Sequence, residues 1–127
     1  MHLNMQEYLW DGIKRDRLIW LGDMHPEVAS IMSVFGNNEI VPTTLDLTCE
    51  QFPLPEWMNK MSAYSLWYLI IHHDWYMNSG DIAFLQKHKE YILGLIDLID
   101  EKIDDEGNEN LSKDRFLDWP STPNKAG

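Results

Sequence analysis

A single cysteine, Cys49, stands in 127 residues, and that scarcity excludes an internal disulfide and a cysteine-based zinc site. Positive charge is also in short supply. Ten Lys and Arg face 21 Asp and Glu, for a formal net charge of −11, which argues against nucleic acid or an anionic membrane surface as partner because either would be repelled. The uninterrupted apolar run Leu66 to Ile71 falls far below the roughly 20 residues of a membrane-spanning helix. Residues 1 to 20 lack a basic start, an apolar stretch and a small-residue cleavage site, so no signal peptide is expected and the chain reads as soluble, its compartment left open. No repeat of fixed period appears, which lowers a solenoid reading.

Aromatic residues are plentiful. They make up 12% of the chain, six of them Trp, within a hydrophobic content of 44%, which favours a packed protein over a disordered one. The length suits one domain able to bury about two-thirds of its unfolded surface.

Taken in order, His2 to Leu9 reads as the end of a helix, broken by Asp11-Gly12, with Gly12 suited to the left-handed conformation after a C-terminus. Asp23 to Glu27 reads as a helix start, with Pro26 in the first turn and an apolar stripe of Val28, Ile31, Met32 and Phe35 over about 25–35. A third helix is expected over 39–51, with Val41, Leu45 and Cys49 on one face and Pro42 in its first turn. After the stiff Pro53-Leu54-Pro55 linker, 60–78 is apolar nearly all round and reads as a buried helix. Ser79-Gly80-Asp81 closes it and caps the next, expected over 82–105 with Phe84, Leu85, His88, Ile92, Leu95, Ile96, Ile99 and Ile103 as its stripe; 106–127 is a tail. Short connections make consecutive helices antiparallel neighbours, so the fold class is all-α, built of helical hairpins.

One stretch does not fit a purely structural or a purely solvated role. Trp10 to Asp23 packs Asp11, Asp16 and Asp23, Lys14, Arg15 and Arg17, Trp10 and Trp20 into fourteen positions, with Gly12 and Gly22 near its ends. So many charges beside two tryptophans fit the wall of a polar pocket, against the bland alternative of a surface loop whose ions pair in solvent. Other clusters carry less. Adjacent His72 and His73 on a helix point about 100° apart, a poor geometry for one metal. The acidic run Asp97 to Glu109 fails the calcium-loop pattern, because aligning Gly107 with the loop glycine puts Lys102 in the first ligand position.

The order Asp11-Gly12-Ile13-Lys14-Arg15-Asp16-Arg17-Leu18, followed by Trp20 and Gly22-Asp23, resembles the signature segment of the α-L-rhamnosidase family of glycoside hydrolases. A second echo, Leu117-Asp118-Trp119, resembles the Asp-Trp pair lining the same family's sugar pocket. The resemblance implies part of an (α/α)6 six-hairpin barrel with the 10–23 loop at its mouth; 127 residues hold roughly four helices plus the tail of another, too few for twelve.

What the resemblance implies chemically is inverting hydrolysis of a terminal α-L-rhamnose with no metal or other cofactor. Asp16 is then the proton donor, one carbon shorter than the Glu common in the family. Asp11 and Asp23 accept hydrogen bonds from sugar hydroxyls, Arg15 orients sugar or acid, and Trp20 and Trp119 present flat apolar faces to the ring. The family's general base, a Glu, lies beyond the matched part, so the isolated chain is expected to be inactive, and a cut barrel's uncovered helix faces are expected to allow self-association. A reading from another class is a non-catalytic helical sugar-binding or protein-interaction module that keeps the loop without the chemistry.

Overall fold

Two glycines and two capping side chains punctuate the chain into helices, as a computed structural model covering residues 2–14, 16–111 and 115–116 describes them. The elements are α1 (Leu21–Phe35), α2 (Ile40–Gln51), α3 (Ser62–Ser79), α4 (Ile82–Lys87) and α5 (Lys89–Asp100), with 3-10 turns at His2–Asn4 and Met58–Lys60. Among the described residues there is no strand, and the fold is all-α.

The boundaries follow from local chemistry. Gly36 leaves α1 at φ 69°, and the Ile40 amide donates to Asn38 Oδ1 at 3.0 Å as α2 begins. Pro42 is the third residue of α2, where its missing N–H would have had no intrahelical partner. Gly80 takes the left-handed conformation at φ 69°, ψ 13° and its amide returns to Tyr76 O, while Asp81 Oδ1 accepts from the Phe84 amide at 2.9 Å to cap α4.

Three contacts fix how the hairpins lie. Gly22 meets the Tyr64 ring, the His25 ring lies 4.6 Å from that of Trp67, and Asn78 Nδ2 donates to Asn37 Oδ1 at 3.0 Å. Starts meet starts and ends meet ends, so α1 and α3 run parallel, side by side. That is the arrangement of equivalent helices in successive hairpins. The core between them takes Leu21, Met24, Val28 and Ile31 from α1, Tyr64, Tyr68, Ile71 and Trp75 from α3, and Val41 and Leu45 from α2. Leu95 of α5 and Leu9 and Ile19 from the two arms of the 10–20 loop complete it.

Gly22 marks the tightest approach. A Cβ there would lie 2.7 Å from Tyr64 Cε1, inside van der Waals contact. Gly22→Ala is expected to push the ring outward and lower stability by about 1–3 kcal/mol, read as an earlier midpoint in urea unfolding; an unchanged midpoint would show that the ring swings aside freely.

Several expectations are corrected. His2 to Leu9 is not a helix end: after the 3-10 turn the chain folds back through a Met5 to Leu9 bridge, held by the Leu9 amide donating to Thr44 Oγ1 at 3.0 Å. The left-handed residues of the loop are Asp16 (φ 52°) and Arg17 (φ 51°), the role the sequence assigned to Gly12. α1 starts at Leu21, which puts Pro26 inside the helix and not in its first turn. α3 is not buried all round, since Leu66, Ile70 and Met77 form an exposed edge. The helix drawn over 82–105 is interrupted at His88 and ends at Asp100, with Ile96 and Ile103 exposed. No helix of the described residues is long and apolar enough to cross a membrane.

Candidate functional site

The loop 11–18 is closed at its neck by one side chain. The Asp11 amide donates to Leu18 O at 3.0 Å, and the Leu18 amide donates to Asp11 Oδ1 at 3.0 Å. Asp11 thus spends one carboxylate oxygen on the loop itself. At the tip Asp16 and Arg17 are both exposed and left-handed, an uncommon pair of conformations for residues with a Cβ. Arg17 Nε donates back to Ile13 O at 3.2 Å.

The outgoing arm is anchored from elsewhere in the chain. Asn59 Nδ2 donates to Ile19 O at 2.8 Å, and Asn59 Oδ1 accepts from the Leu21 amide at 3.1 Å. The second bond satisfies an amide that the first turn of α1 leaves without an intrahelical partner, a task usually done by a residue just before the helix. Asn59 itself sits at φ 51°, a conformation Asn tolerates better than most residues.

Below the loop, α1 carries two perturbed carboxyls one turn apart. Partial desolvation raises Asp23 above the ordinary carboxylate range, although its side chain reaches solvent, and the charges of Asp11 and Asp16 raise it further. Glu27 is buried and is also raised, first by desolvation and then by the charges of Asp23 and Asp11, against the Asn4 amide, which donates to its Oε1 at 2.7 Å. The charges of Asp11 and Asp16 therefore reach Asp23, and Glu27 joins them, a residue that sequence reading had used only to mark the start of the helix. Its signal was the four-residue spacing from Asp23, which places both on one face.

Trp20 is half-buried and meets Tyr64 edge-on at 6.1 Å. Phe116 meets the same Tyr64 at 5.8 Å, so the end of the described chain returns to the loop. Arg15, Leu117, Asp118 and Trp119 lie outside the described residues.

A second polar cluster lies between α2, α3 and the α4/α5 corner. His88 Nε2 is 2.7 Å from Asp46 Oδ1, and His88 Nδ1 is 3.1 Å from Tyr68 Oη and 3.3 Å from Cys49 Sγ. With Nε2 donating to Asp46, Nδ1 accepts from the hydroxyl or the thiol. Burial tends to raise Asp46, but hydrogen bonds from Lys87 and His88 outweigh it and hold the carboxyl below its ordinary range. Burial drives the Cys49 thiol up to about 11, the wrong direction for a nucleophile. His72 stacks on Phe84 at 5.3 Å, and neither of its ring nitrogens has a hydrogen-bond partner among the described residues. Burial, aided by the neighbouring His88, lowers it to about 3. Among the described residues no group of three or more His, Cys, Asp or Glu could hold a metal ion.

Comparison with known proteins gives one family. The model of the bacterial alpha-L-rhamnosidase 6 hairpin glycosidase domain matches residues 1–127. No curated protein and no solved structure matches the chain.

Proposed function

The chain belongs to the family of bacterial alpha-L-rhamnosidase 6 hairpin glycosidase domains, and on that footing we propose that it supplies the pocket loop of a glycoside hydrolase acting on terminal α-L-rhamnose. The observation that carries this reading is the set of Asp16 at the exposed loop tip, Asp11 at the neck and Asp23 on α1 below, close enough for the charges of Asp11 and Asp16 to raise Asp23. Asp16, at the tip, donates the proton to the leaving oxygen. Asp23 and the remaining oxygen of Asp11 accept from sugar hydroxyls, Arg15 orients sugar or acid, and Trp20 with Trp119 offers apolar faces to the ring. In an inverting mechanism a second carboxylate about 6.5–9.5 Å from the acid activates water on the opposite face. The matched loop contains no candidate for that base, so the chain by itself binds the sugar without turning it over.

The test has two readouts. Titrating methyl α-L-rhamnoside into labelled chain is expected to move amide resonances of residues 11–23, and Asp23→Asn is expected to weaken binding about tenfold through loss of a charge-assisted hydrogen bond. Binding that is absent, or that spares this loop, would sink the reading. Hydrolysis of an aryl α-L-rhamnoside by the purified chain, abolished in Asp16→Asn, would instead show that the chain carries its own base.

A further inference from the structure

We infer that Glu27 is a further positioning residue of the sugar site: it holds the ingoing arm of the pocket loop through Asn4, and thereby sets where Asp11 stands relative to Asp23. This role rests on the glycoside reading above and falls to a residue to which that reading gives no part. Glu27 lies on α1 one turn after Asp23, and only 9% of it is exposed. A carboxyl taken out of water in this way needs partners within the protein, because an unpaired one is costly to bury.

Hydrogen bonds lead from Glu27 to the neck of the loop. Asn4 Nδ2 donates to Glu27 Oε1 at 2.7 Å, the length of a charge-assisted bond. The backbone carbonyl of the same Asn4 accepts from the Trp10 amide at 3.1 Å. The next residue is Asp11, whose own amide and carboxylate close the neck on Leu18. Thus α1 carries Asp23 and, one turn on, the side chain that fixes the arm from which Asp11 emerges. The neighbouring anchor serves another helix: the Leu9 amide donates to Thr44 Oγ1 of α2 at 3.0 Å. That bond ties the arm to α2 and leaves the spacing between Asp11 and Asp23 to Asn4 and Glu27.

The surroundings of Glu27 disfavour a carboxylate for any other purpose. Desolvation raises it most, the Asn4 amide lowers it, and the charges of Asp23 on its own helix and Asp11 on the loop raise it again. A carboxylate is therefore kept where burial and like charges both oppose it, and the bond from Asn4 is what offsets them. An apolar residue of similar volume would escape that repulsion, but it would release Asn4. The ingoing arm is in this way pinned to α1 by a side chain from outside the loop, as the outgoing arm is pinned by Asn59.

The experiment titrates methyl α-L-rhamnoside into the full chain and its variants, with the unfolding midpoint of each measured alongside. Glu27→Ala and Asn4→Ala are each expected to weaken binding about three- to tenfold. The double variant is expected to lose no more than either alone, since both changes break one connection. Glu27→Gln, whose amide oxygen still accepts from Asn4, is expected to restore most of the affinity, and the Trp10 and Asp11 amide resonances should move in Glu27→Ala but little in Glu27→Gln. Should Glu27→Ala not fold, Asn4→Ala, outside the α-helices, and Glu27→Gln carry the comparison. Parent-like binding in Asn4→Ala, losses that add in the double variant, a Glu27→Gln chain as weak as Glu27→Ala, or losses that merely follow the unfolded fraction would overturn the role and leave the sugar site standing. A parent chain that binds no sugar would instead remove the glycoside reading and this role together.

Discussion

Between pH 6.5 and about 3 the chain is expected to lose on the order of 5 kcal/mol of stability on account of His72 alone, whose pKa falls from 6.5 to about 3 on folding. A group depressed in the folded state gives its full stabilisation above the unfolded pKa, and that stabilisation drains away as pH falls toward the folded pKa. In this window the unfolded chain takes up a proton that the buried ring refuses. The ring is 3% exposed, so solvent does little to soften the effect. His72→Phe, which keeps a flat ring against Phe84, is expected to flatten the acid limb and to hold or raise stability at pH 7, since two unpaired nitrogens leave the interior. Asp23 and Glu27, raised in the fold, work in the opposite sense as pH falls. The comparison of parent with variant isolates His72 from them. Parallel curves of unfolding free energy from pH 7 to 3.5 would rule this out.

Asn59→Ala is expected to cost about 3 kcal/mol, and to weaken sugar binding as well. The Ile19 carbonyl and the Leu21 amide each lose a partner, at about 1–3 kcal/mol for a group left buried and unsatisfied. Alanine also fits the φ of 51° less well than asparagine. Asn59→Gly removes the same two bonds and keeps the backbone free, so the gap between the two variants measures the conformational share. Denaturant unfolding gives the stability and rhamnoside titration the affinity. A variant with normal stability and normal binding would mean that the loop is positioned by its own neck at Asp11 and Leu18.

These two residues also mark where sequence reading stops. The all-α class, and the ends of helices at Gly36, Gly80 and Asp81, were legible because punctuation and cap lie within three or four residues of one another. The start of α1 was not, because its cap arrives from Asn59, 38 positions away. The interruption at His88 was hidden for the same reason: the carboxylate it turns toward, Asp46, is 42 positions back. His2 to Leu9 has helix-like apolar spacing, yet Thr44 and Glu27 take its polar groups into other contacts. The α3 sequence is apolar on every side, and periodicity alone does not separate a face that is covered from one, at Leu66, Ile70 and Met77, that is exposed. In the loop, the carboxylates were visible as a group in the sequence, while the division of labour between Asp11 at the neck and Asp16 at the tip needed the hydrogen bonds.

The parallel pairing of α1 with α3 sets an order of events during synthesis. Gly22 and Tyr64 meet across 42 positions, and His25 meets Trp67 across the same interval, so the main partner of α1 is not its nearest neighbour in the chain. At roughly 5–20 residues per second, about forty residues take some 2–8 s to follow. For those seconds Leu21, Met24, Val28 and Ile31 have only α2 and the preceding segment with Leu9 and Ile19 to lie against. This first hairpin is therefore the part of the nascent chain with most to gain from a chaperone, and its hazard ends when Tyr64 to Trp75 has left the ribosome.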